Sequence, residues 1–79
     1  MTPNRFREML RHQPFQPFLV KTTDGDTFRV EHPDYALVTP RERDVVIFDK
    51  DDHFRFVAMD HIVSLEPIRR NGSKKPGNR

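Results

Sequence analysis

The stretch Phe18-Leu19-Val20-Lys21-Thr22-Thr23-Asp24-Gly25-Asp26-Thr27-Phe28-Arg29-Val30 decides the fold. Apolar and polar residues alternate on either side of Asp24-Gly25, which is the period of a half-buried strand. A two-residue Asp-Gly loop takes positive φ at both central positions, and its twist matches that of paired strands. The stretch therefore predicts a β-hairpin with Phe18, Val20, Phe28 and Val30 on one face. Leu19 interrupts the alternation and predicts cover on both sides of the first strand.

Working outward, Thr2-Pro3 reads as a helix start, with Thr as N-cap and Pro at the first helical position. Phe6, Met9 and Leu10 then form one apolar stripe at i, i+3, i+4. Pro14 ends the helix near His12 or Gln13, because the residue before Pro disfavours the α region. Pro14-Phe15-Gln16-Pro17-Phe18 is an extended connector that carries two phenylalanines onto the sheet. Downstream, His32-Pro33-Asp34 interrupts the second strand as a turn or bulge. Tyr35–Thr39 is a short strand stopped by Pro40, and Arg41–Asp44 is a solvated loop. The apolar run Val45-Val46-Ile47-Phe48 suits a central strand buried on both faces. Asp49–Asp52 connects a second hairpin, His53–Met59 returns, Asp60-His61 allows a tight turn, and Ile62–Glu66 is the last strand before Pro67. The predicted class is mainly β (α+β). A short N-terminal helix precedes a five- or six-stranded antiparallel small barrel, whose closure removes exposed edges.

The 79 residues divide unevenly. Residues 1–68 hold every apolar side chain, nine Lys/Arg and twelve Asp/Glu, for a charge of −3. Residues 69–79 hold Arg69, Arg70, Lys74, Lys75 and Arg79 with no acid. The overall +2 therefore describes a basic tail on an acidic body. The tail's Gly, Pro, Ser and Asn predict disorder. Two readings of it stand side by side: a solubilising end, or a mobile cation cluster that neutralises phosphates of RNA or DNA. The chain has no Cys, which excludes disulfides, thiolate metal sites and cysteine nucleophiles. With no apolar leader and no run of spanning length, the expectation is a cytoplasmic protein with no membrane partner. A body this small buries only about 60% of its unfolded surface, which favours self-association, a homo-oligomer or another protein partner.

Little in the chain points to catalysis. The serines, Ser64 and Ser73, lie in a strand and in the tail, with no nucleophile-elbow pattern. Asp49, Asp51 and His53 occupy alternate positions as in a calcium loop, but Phe54 stands where that loop needs Gly. His12, His32, His53 and His61 show no metal-ligand spacing. The expectation is no enzyme, no cofactor, no metal and no small-molecule substrate. Phe54-Arg55-Phe56-Val57 is similar to the base-stacking motif of RNA-recognition domains. That motif's glycines are missing, so Phe54 and Phe56 are expected in the core.

Two resemblances follow from these residues. Pro14-Phe15-Gln16-Pro17-Phe18, Asp24-Gly25, Phe28-Arg29-Val30 and His32-Pro33-Asp34 resemble a family of small uncharacterised bacterial proteins with a PF-x-PF, DG and HP pattern. That family implies no activity. The order of helix, Asp-Gly hairpin, bent second strand and a final pair joined at Met59-Asp60-His61-Ile62-Val63 is similar to Sm-like RNA-binding proteins. The resemblance implies a small barrel, RNA contact by His61 at the last turn, and base stacking by Tyr35 in an earlier loop. Together these readings give a non-enzymatic, self-associating assembly module, with RNA binding of Sm-like type, or through the tail, as the alternative.

Overall fold

A computed structural model describes residues 1–68. Helix α1 spans Pro3–Arg11, and the Thr2 hydroxyl accepts a hydrogen bond from the Arg5 N–H at 3.3 Å. The expected cap and stripe are both present. Phe6 is fully buried and meets the Phe18 ring edge-on at 5.6 Å, while Met9 and Leu10 pack against the same core. On the polar side, Arg7 forms an ion pair with Glu42 and ties the helix to a strand loop.

Six strands follow: β1 Phe18–Thr22, β2 Thr27–Val30, β3 Ala36–Val38, β4 Asp44–Phe48, β5 Phe54–Ala58 and β6 Ile62–Pro67. All pair antiparallel, in two three-stranded sheets of order β2-β1-β6 and β3-β4-β5. Among the described residues the fold is mainly β with one short helix, as expected, but the strands close no barrel. A 3₁₀ turn, Pro33–Tyr35, separates β2 from β3. Pro33 has no N–H to donate to a ladder, so the sheet breaks there. This turn also ends on Tyr35, which was expected as the first residue of a strand. A second 3₁₀ turn, Met59–His61, carries the chain from β5 in one sheet to β6 in the other. Consequently β5 and β6 are not the paired strands expected at this turn; β6 pairs with β1 instead.

The Asp24-Gly25 reversal occurs, with Phe18 opposite Val30 and Val20 opposite Phe28. Its geometry differs from the two-residue loop. Only Gly25 has positive φ, at 87°. The Gly25 N–H donates to the Thr22 carbonyl at 3.1 Å, and the Thr22 N–H donates to the Asp26 carbonyl at 3.0 Å. Thr23, Asp24 and Gly25 thus make a three-residue loop, a turn followed by a left-handed glycine. The Thr22 hydroxyl favours it by accepting the Asp26 N–H at 3.2 Å. The β4–β5 hairpin repeats the pattern, with Asp52 at φ 69° in the place of glycine.

The core lies between the sheets and under the helix. Phe6, Phe18, Val20, Val30 and Val45 are fully buried, joined by Ala36, Ile47, Val57, Met59 and Ile62. Burial of apolar area of this kind is the main favourable term for so small a domain.

Candidate interaction surface

The two sheets present opposite chemistry to their surroundings. On the β2-β1-β6 sheet, Lys21 pairs with Glu66 at 3.2 Å and Arg29 with Glu31 at 2.7 Å. With Ser64 and Thr27 they make that outer face mostly polar; Leu19 on it is half-buried, and Val63, at the register shift of β6, is exposed. The β3-β4-β5 sheet does the reverse. Ala36, Ile47, Val45 and Val57 point to the core, so strand alternation turns Leu37, Val46, Phe48, Phe54 and Phe56 outward. Val46 sits between Leu37 on one side and Phe56 on the other, and Phe48 is opposite Phe54. The Phe48–Phe54 and Phe54–Phe56 ring centroids are both 6.0 Å apart.

This overturns the expectation that Phe54 and Phe56 pack in the core. They are 58% and 65% exposed, and Leu37 is 44% exposed. The reason is parity. Val57 takes the inward position on β5, so residues 54 and 56 share the other face. Val46 stays nearly covered because its neighbours on both strands lean over it. The apolar run Val45–Phe48 is therefore covered on both faces up to Ile47, as its composition predicted.

Among the described residues, the outermost strand of this apolar sheet is β5, and its outer edge pairs with no other strand. The Asp49 N–H donates to the His53 carbonyl at 2.9 Å, and the Met59 N–H donates to the Arg43 carbonyl at 2.7 Å. Antiparallel ladders alternate, so His53, Arg55, Val57 and Met59 turn their backbone groups toward β4. Phe54, Phe56 and Ala58 then turn theirs toward the open edge. The opposite edge, β3, is short and contacts α1.

Beside β5 runs a cleft between the two sheets. Its larger part, about 560 Å³, is lined by Phe28 and Arg29 of β2 and by Phe48, Asp49, His53 and Arg55. The Arg55 guanidinium lies 5.6 Å from the Phe28 ring centroid, a cation–π contact on the core side of β5. Toward the β1–β2 loop the cleft continues as a groove of about 190 Å³ whose walls include Asp24, Asp26, Arg55, Val57 and His61.

Asp49, Asp51 and His53 do come together at the tip of the second hairpin, with one ligand atom of each within 4.8 Å of the others. All three are exposed, and their contacts explain the turn. Asp49 Oδ1 accepts the N–H groups of Asp51 and His53 at 2.8 and 3.1 Å. Desolvation opposes ionisation of Asp49, but these two N–H groups, together with the charge and side-chain hydrogen bond of His53, outweigh it, so its carboxyl titrates below the ordinary value.

The expected RNA-contacting residues are dispersed. Tyr35 is half-buried and edge-on to His32, at 5.0 Å, and lines a cavity with Glu31 and Arg29. His61 is exposed in the turn before β6 and lines the small groove with Asp24 and Asp26. The cavity lined by Tyr35 and the groove lined by His61 share no residue. Arg69, Arg70, Lys74, Lys75 and Arg79 lie outside the described residues. No helix among the described residues is long and apolar enough to cross a membrane.

Comparison with family models, curated proteins and solved structures returned no match.

Proposed function

We propose that the protein is a non-enzymatic assembly module that binds protein through the outer face and free edge of its β3-β4-β5 sheet. The observation that carries this reading is the exposure of Phe54 and Phe56 on an open edge strand. Water contact with two adjacent rings is costly, at roughly 25 cal/mol per Å² of apolar area, and a covering partner removes that cost. Free N–H and C=O groups beside those rings supply the directional part of recognition. The acidic body favours protein over nucleic acid on this face, since the nearest outward charge on the sheet is Asp44.

The element order also supports an open, Sm-like arrangement as the architectural ancestor. In that reading β2 and β3 are the two halves of one bent strand, and Met59–His61 is the short turn before the last strand. The PF-x-PF, DG and HP pattern then marks relatives built on the same connector, hairpin and break.

Amide NMR on the full chain tests the functional reading. Dilution from high to low concentration is expected to move amides around Leu37, Val46, Phe54 and Phe56. Addition of a single-stranded RNA at low salt is expected to leave residues 1–68 unmoved. Salt-sensitive shifts at Tyr35 and His61 on RNA addition would replace the assembly reading with nucleic-acid binding.

A further inference from the structure

We propose that the occupant of this face is a second copy of the same chain, joined β5 to β5 across a two-fold axis into one continuous six-stranded sheet. The inference rests on the assembly reading above and adds partner, symmetry and register. An antiparallel strand edge is self-complementary, so two identical open edges pair without any other adaptation.

Three observations select the register. Among the described residues of β5, Phe54, Phe56 and Ala58 turn their backbone groups to the open edge, so they must form the hydrogen-bonded pairs. Centring the axis on Phe56 sets Phe56 against its copy and Phe54 against Ala58 of the second copy. The large ring then lies over a small methyl group, and the outward row of rings becomes continuous across the seam. Centring it one residue earlier sets Arg55 against Arg55, two like charges directly opposite. Centring it one residue later sets Phe54 against Asp60.

Charge on the other side of the sheet agrees with the chosen register. Arg55 and Val57 point inward, so Arg55 of the second copy falls opposite Val57. That position faces the groove whose walls carry Asp24 and Asp26. Each copy thus brings one guanidinium to a pair of carboxylates that lines the seam, and the two-fold repeats the contact. The alternative edge, β6, offers Ser64 and a Glu66 already tied to Lys21, and has no row of rings to extend.

The chain lacks Cys, so introduced thiols report the register directly. Opposed Cα atoms in a hydrogen-bonded pair are about 5.5 Å apart, within the span of a disulfide. Under mild oxidation, full-length Phe56→Cys is expected to form a disulfide dimer at least tenfold faster than Val63→Cys, an equally exposed edge position on β6. A mixture of Phe54→Cys and Ala58→Cys chains is expected to cross-link preferentially to each other, with Phe56 intact. Sedimentation equilibrium of the unmodified chain is expected to give dimers, and Phe56→Asp to raise the dimer Kd at least tenfold while the dilute protein keeps its folded circular dichroism. A monomer at the highest soluble concentration, its amides unmoved by dilution, overturns the self-pairing and the assembly reading together, whereas dilution shifts at Leu37, Val46, Phe54 and Phe56 without cross-linking of Phe56→Cys overturn the self-pairing alone. A dimer that survives both Phe54→Asp and Phe56→Asp overturns the face as well. A ring, or equal cross-linking at Val63, overturns the two-fold register.

Discussion

Two phenylalanines of this chain should lose very different amounts of stability on the same truncation. Phe18 is fully buried, with Phe6 edge-on at 5.6 Å and Phe15 at 6.2 Å. Phe18→Ala removes a ring from the centre of the core and is expected to cost about 3–5 kcal/mol, through lost transfer energy and the cavity left behind. The two ring pairs, each worth about 0.5–1.5 kcal/mol, put it toward the upper end. At about 0.05–0.15 kcal/mol per residue, the described 68 residues hold roughly 3–10 kcal/mol in all. Phe18→Ala should therefore remove from about half to all of that stability. Phe56 is 65% exposed, so only about a third of its area is withdrawn from water. Full burial of such a side chain contributes about 1.5–3 kcal/mol, which scales to roughly 0.5–1 kcal/mol for Phe56→Ala. Urea unfolding followed by circular dichroism, at concentrations low enough to keep the chain monomeric, measures both. Equal losses for the two variants would refute the assignment of inner and outer faces, and with it the argument for the interaction surface.

The remaining predictions concern the turns. Gly25 has open space around it, so Gly25→Ala should cost only the strain of a left-handed backbone, about 1–2 kcal/mol. Asp52→Gly should do the reverse and stabilise the β4–β5 hairpin, by up to about 1 kcal/mol, since Asp52 holds φ 69°; thermal unfolding of the pair checks the sign. Asp49 ionises more readily folded than unfolded, so its contribution is present above the unfolded pKa and is lost as pH falls through the folded one. The urea midpoint of the parent chain should therefore drop further on acidification than that of Asp49→Asn, and a carboxyl NMR titration should place Asp49 below the ordinary aspartate value.

Much of the architecture is local and was legible. Thr2-Pro3 caps a helix because the cap needs only neighbours in sequence. Asp24-Gly25 reverses the chain because glycine alone accepts the required φ freely. Pro33 breaks a strand because it lacks a donor. The loop length at Asp24-Gly25 was misread, since the Thr22 hydroxyl selected a three-residue turn that the dipeptide alone does not specify. Barrel closure was misread as well. It depends on whether β2 runs into β3 and whether β5 meets β6, both of which are contacts between segments rather than properties of either.

The amino-acid order by itself determined the helix, the two hairpin reversals, a strand count of five or six and which residues of a strand share a face. It left open which of those faces looks inward, because alternation is symmetric: a strand reads the same whether its odd or even residues are buried. Only the stacking of one sheet against the other broke that symmetry. It turned Val57 in, and so turned Phe54 and Phe56 out to the surface where we place the protein's function.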